Sequence, residues 1–71
     1  MITPQELLSI GFNHNIHDNS YRKSVSKKIH IEVEEGTVFI VMTEVGQGEV
    51  IWEELPKIDS IEKMKLFLEL I

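Results

Sequence analysis

Histidines and carboxylates are the residues of this chain best equipped for chemistry. His14 and His17 stand three apart, with Asp18 beside them. Two imidazoles and a carboxylate can share one metal ion if their segment curls. A structural site wants a fourth ligand, and His30 would have to bring it from another element. The same stretch runs Asn13-His14-Asn15-Ile16-His17-Asp18-Asn19-Ser20, and asparagine, aspartate and serine are ordinary turn formers. A loop is therefore expected here, with Ile16 tucked inward, and no metal site. There is no cysteine, which excludes a thiolate zinc site, a cysteine nucleophile and a disulfide framework. Ser9, Ser20, Ser24, Ser26 and Ser60 lie in no Gly-x-Ser-x-Gly elbow, and none is spaced to pair with a histidine. Gly46 and Gly48 flank Gln47 with no phosphate-loop lysine after them. No catalytic or cofactor-binding residue is expected, and the chain reads as a non-enzyme.

Charge is the next signal. Seven basic and twelve acidic residues leave a net charge of −5. Arg22, Lys23, Lys27 and Lys28 form a basic patch with no acid among them, and Tyr21 beside them is a potential stacking residue. Glu32, Glu34, Glu35, Glu44, Glu49, Glu53 and Glu54 follow with no base between them. Phosphate neutralisation needs surplus lysine and arginine, so the acidic balance disfavours nucleic acid as a partner. The patch has a plainer reading as the charged edge of a sheet. The acidic segment allows the reverse idea, a DNA-mimicking regulator, and this nucleic-acid-associated role stands as the alternative function.

The elements that must position these residues follow from the apolar pattern. Ten isoleucines, six valines and no alanine lean toward strands. Thr3, Pro4 and Glu6 make a capped start, and Gly11 a stop, for a short helix over residues 4–10. Tyr21, Lys23 and Val25 alternate with Arg22 and Ser24 as a first, edge strand. Ile29, Ile31 and Val33 alternate with His30, Glu32 and Glu34 as a second. After a Glu35-Gly36 turn, Thr37 to Thr43 is apolar on both sides, the mark of a central strand covered twice. Gly46-Gln47-Gly48 turns into a fourth strand, Glu49 to Glu53, with Val50 and Trp52 opposite Ile51. Pro56 ends the sheet. Asp59 and Ser60 are both candidate caps for a helix reaching Leu70, on which Ile61, Met64, Phe67, Leu68 and Ile71 share one face.

The expected architecture is one two-layer α+β domain over residues 1–71. An antiparallel β meander of three to four strands carries a short N-terminal helix and a C-terminal helix packed on one face. A chain of 71 residues buries a small fraction of its surface compared with larger domains, so self-association would help it. Phe39, Val41 and Ile51 are left for the uncovered sheet face, and Leu66 and Leu70 lie on the wrong side of the last helix. Together they form the candidate interaction surface, for a second copy in a homodimer or for a host or phage protein. The bland alternative is that these are singly exposed residues. The longest apolar run, Val38 to Met42, is far short of the ~20 residues of a membrane helix. With no signal-like opening and no cysteine, a cytoplasmic setting is expected.

Two segments carry a resemblance. One is Thr3-Pro4-Gln5-Glu6-Leu7-Leu8 leading to Gly11-Phe12. The other is Leu55-Pro56 with Ile58, followed by Ser60, Ile61, Met64, Phe67 and Leu68. With a β meander between them, the chain resembles small uncharacterised proteins of prophages and mobile elements in Bacteroides-type gut bacteria. The resemblance implies a bacterial cytosolic setting and an accessory role, and it implies no activity and no functional residue.

Overall fold

The computed structural model describes residues 2–43 and 50–71. Helix α1 (Pro4–Ser9) opens the fold, strands β1 (Asn13–Asn15), β2 (Ser20–Ser24), β3 (Ile29–Glu34), β4 (Thr37–Thr43) and β5 (Val50–Glu54) follow, and helix α2 (Ile61–Leu70) closes it. The strands pair antiparallel in chain order, β1-β2-β3-β4-β5. The α+β meander with a helix before and after it is the expected class, with five strands rather than three or four.

The extra strand comes from the segment expected to be a loop. Asn13, His14 and Asn15 pair with Arg22, Tyr21 and Ser20. A tight turn makes this possible. The Asn15 Oδ1 accepts from the His17 amide, and the Asp18 Oδ1 accepts from both the amide and the hydroxyl of Ser20. Asn19 takes a left-handed backbone with φ 55°, a conformation its short polar side chain tolerates. The turn chemistry read from the sequence is therefore correct, and it closes a hairpin. As a result β2 is interior and β1 forms the edge. Ile16, expected to tuck inward, stands 78% exposed at the tip of this turn.

Both helices start as their sequences dictate. The Thr3 hydroxyl accepts from the Glu6 amide, and the Glu6 carboxylate accepts in return from the Thr3 amide at 2.9 Å. This satisfies two of the amides that a helix start leaves orphaned. Gly11, at φ 100°, ends α1. Ser60 caps α2, accepting from the Lys63 amide, while Asp59 instead ion-pairs with Lys63 at 2.8 Å. Glu35 (φ 51°) and Gly36 (φ 82°) form the two-residue β3–β4 turn, both left-handed as a hairpin of this length requires. The expected Gly46-Gln47-Gly48 turn lies outside the described residues.

The core sits on one side of the sheet. Ile31 and Val33 of β3 and Val38 of β4 meet Leu7 of α1, Met64 of α2, Ile2 and Phe12. Ile61, Phe67 and Leu68 of α2 are half-buried against this cluster, as are Tyr21 and Ile40. The helical stripe expected for α2 thus packs inward, apart from Ile71 at its end, which is 52% exposed.

Candidate functional site

Strand alternation divides the candidate residues between two surfaces. Cross-strand registers set Arg22 opposite Glu32, Glu32 opposite Phe39 and Phe39 opposite Glu54. One step along, Ser24, His30, Val41 and Trp52 form a parallel row. These two rows lie on the sheet face opposite the one packed against Leu7 and Met64, because successive residues of a strand point to opposite sides.

The β2–β3 half of this face is polar. Glu32 is 1% exposed although it lies on the sheet face away from the core. The Arg22 guanidinium covers it, with Nε in direct contact with its Oε1, and His30 Nε2 lies 3.9 Å from the same oxygen. Arg22 also reaches the Asp18 carboxylate at 3.1 Å through its other end. The Arg22–Glu32 contact is ionic: neither Nε nor Oε1 has an aligned hydrogen bond. The two hydrogen bonds from Ser20, and then Arg22, hold the Asp18 carboxyl below the usual aspartate range.

The β4–β5 half is apolar around Phe39, Val41 and Trp52, with Glu54 at its end. Phe39 and Trp52 meet edge to face, with ring centres 5.9 Å apart, an arrangement aromatic pairs favour. Val41 is 1% exposed yet stands outside the helix-side cluster. Its cross-strand neighbours on this face are His30 and Trp52, with Phe39 two residues along its own strand. β4 is interior as expected, and Val41 is buried on the open face. Val41 is thus a buried support for the candidate surface and not part of its exposed area. Phe39 is half-buried.

Ile51 needs a correction. It pairs with Met42, on the helix-side face, while Val50 and Trp52 occupy the open face. Alternation along β5 had separated these residues correctly, but which set joins Phe39 and Val41 depends on the β4–β5 register. Trp52, the single tryptophan of the chain, is therefore the surface residue that sequence reasoning missed, and it is 49% exposed. Leu66 and Leu70 of α2 are 62% and 84% exposed, as expected of the off-stripe positions.

The sheet ends in β5, and all five of its residues are exposed. Its hydrogen-bonding groups can be assigned. The Leu55 amide donates to the Val38 carbonyl at 2.8 Å. In an antiparallel ladder the bonded pairs alternate, so Glu53 and Ile51 bond inward to β4. The backbone N–H and C=O groups of Val50, Trp52 and Glu54 then point outward. The opposite edge is different in kind: β1 is three polar residues long, and His14 of β1 stacks on Tyr21 at 4.5 Å and meets Asn19 at 2.9 Å.

The basic patch does not form one surface. Arg22 is committed to Asp18 and Glu32 on the open face. Lys23 pairs with Ile31 on the helix-side face, its ammonium lying beside Gly11 at the end of α1. Lys27 and Lys28 lie in the β2–β3 turn. The metal candidates are also dispersed: His14 is engaged by Asn19, Asp18 by Ser20 and Arg22, and no group of three or more potential ligands occurs among the described residues. A surface hollow of about 620 Å³, lined by Ile2, Pro4, Leu7, Tyr21 and Val33, contains none of the three histidines.

No protein-family model, curated protein or solved structure matches the chain. Among the described residues no helix is long and apolar enough to cross a membrane.

Proposed function

We propose that this protein is a small non-enzymatic protein-interaction module whose partner is a second copy of the same chain. The observation that carries this reading is β5: a strand exposed along its whole length, apolar on both sides through Val50, Ile51 and Trp52, and bearing the only tryptophan. Aromatic residues anchored in a semi-buried setting are what protein interfaces use most, and Phe39 holds the Trp52 ring from one side. Long apolar edges are a liability that proteins either blunt or use. Here the charges on β5 are confined to Glu53 and Glu54 at one end. A cytoplasmic accessory role in a prophage or mobile element is the setting that the resemblance of the two terminal segments suggests.

The alternative, a nucleic-acid-associated or DNA-mimicking regulator, gains no support from the division of Arg22, Lys23, Lys27 and Lys28 among two faces and a turn. Sedimentation equilibrium over a wide concentration range tests the proposal. A reversible monomer–dimer equilibrium is expected. A monomer at millimolar concentration would overturn it.

A further inference from the structure

We propose that two copies join edge to edge, each β5 adding to the other as an antiparallel strand, with Trp52 of one chain opposite Trp52 of the other, so that two five-stranded sheets become one of ten strands. This deepens the reading above and rests on it.

The register follows from the outward-facing groups. Val50, Trp52 and Glu54 each offer an N–H and a C=O to the outside of the sheet, and these alternate as one side of an antiparallel ladder requires. A two-fold axis at Trp52 uses all three. Trp52 exchanges both of its bonds with its own copy, and Val50 exchanges with Glu54 in each direction. Shifting the axis to Ile51 or Glu53 leaves one of the three residues without a partner on β5.

Side-chain chemistry selects the same register. On the open face the two Trp52 side chains come opposite each other, and each Glu54 faces a Val50. On the helix-side face each Glu53 faces an Ile51. No glutamate of β5 is set directly against another, although every charged residue of the strand is acidic. Like charges directly opposed across strands destabilise a pair, and aromatic pairs stabilise it. The strand is therefore self-complementary in hydrogen bonding and sets no two like charges directly opposite, as a two-fold contact demands. The other edge lacks these features, being short and polar. Each chain carries a net charge of −5, so long-range repulsion opposes association, and added salt should tighten the dimer.

Amide hydrogen exchange followed by NMR across a dilution series reads the geometry directly. The expected result is that the amides of Val50, Trp52 and Glu54 become slower to exchange as concentration rises, while Ile51 and Glu53, already bonded to β4, change little. Val50→Pro removes one outward donor per chain and leaves the bonds to β4 intact. It should weaken the dimer about 30-fold, as expected for two lost hydrogen bonds, while Val50→Thr, which keeps the amide, should leave association within a few-fold of the original. Leu66→Glu with Leu70→Glu should leave association unchanged. A dimer in which the three outward amides stay fast, or which the double helix substitution dissolves, would overturn strand addition and leave the interaction module standing. A protein that stays monomeric overturns both.

Discussion

The two faces of the sheet bury residues to the same depth by different means. On the helix side, Ile31 and Val38 are 0% and 2% exposed because Leu7 and Met64 are laid over the sheet by separate elements. On the open side, Val41 and Glu32 are each 1% exposed with no helix above them. Around them on that face stand long side chains of the sheet itself: Trp52 and His30 across from Val41, Phe39 along its own strand, and Arg22 against Glu32. A core closed by helices is dense and slow to adjust. A cover made of side chains that begin in the sheet can move without moving an element, and it leaves half of Trp52 available to a partner.

Truncation should separate the two kinds of burial, and it gives the largest expected effects. Ile31→Ala removes a side chain locked between β3 and both helices and should cost about 3–4 kcal/mol. Val41→Ala removes a smaller side chain from the face that no helix covers and should cost about 1–2 kcal/mol. Urea unfolding at one fixed protein concentration measures both, since association would otherwise add to stability. Equal costs for the two would show that the open face is as firmly packed as the core.

The polar half of the open face offers the next contrast. Arg22→Met removes the cation from a carboxylate that is almost fully covered, and it should destabilise the fold by about 2 kcal/mol. This is less than for a fully buried pair because Arg22 itself is 43% exposed. Glu32→Leu removes the buried carboxylate, leaves Arg22 its contact with Asp18, and should be neutral or stabilising. If both substitutions cost the same, the Arg22–Glu32 contact is not what keeps Glu32 folded under.

The helix side was the legible one. The alternation of Ile29, Ile31 and Val33, the Thr3–Glu6 capping box and the stripe on α2 are local patterns, and each is present in the fold. The open side was less so, for reasons that lie in pairing. The alternation of β3 puts Glu32 on the open face but does not show that it is buried there, because its burial involves Arg22 from the strand beside it. Val41 read as needing a cover from elsewhere because a single strand does not show how far its neighbours' side chains reach. Ile51 went to the wrong face because the two-residue period is blind to the register of the hairpin that brings β5 back. β1 was missed because Asn13, His14 and Asn15 have no apolar alternation, and only the closed turn makes them a strand. Trp52, as the single tryptophan, was visible in the sequence, but its place beside Phe39 and Val41 follows only from the β4–β5 register.

A smaller effect tests whether the helix side owes anything to its caps. Thr3→Ala removes the hydroxyl that accepts the Glu6 amide and one arm of the reciprocal pair, and it should cost about 1 kcal/mol. The loss should fall on α1 and on Leu7, which α1 holds in the core, and Trp52 fluorescence should be unchanged at native conditions. A shift in the tryptophan spectrum would mean that the two faces are coupled through the sheet.

Acid gives the smallest effect and the most specific one. Three exposed carboxyls are held below their ordinary values: Glu6 by its hydrogen bonds from Thr3, Asp18 by those from Ser20, and Asp59 by Lys63. A carboxyl whose value is lowered by folding stabilises the fold fully above its unfolded value and loses that contribution as pH falls through its folded one. The loss should therefore begin near the ordinary values of 4.5 for Glu6 and 3.8 for the aspartates and continue below them. Asp18→Asn should flatten the acid limb of a stability–pH profile, because the turn that closes β1 onto β2 then no longer depends on an ionised carboxylate. Asp59→Asn should flatten it through α2 on the other face. An Asp18→Asn profile that runs parallel to the original below pH 4 would show that the β1–β2 turn is held by its backbone geometry alone, with the Asp18–Ser20 and Asp18–Arg22 contacts adding nothing to the edge that distinguishes this end of the sheet from β5.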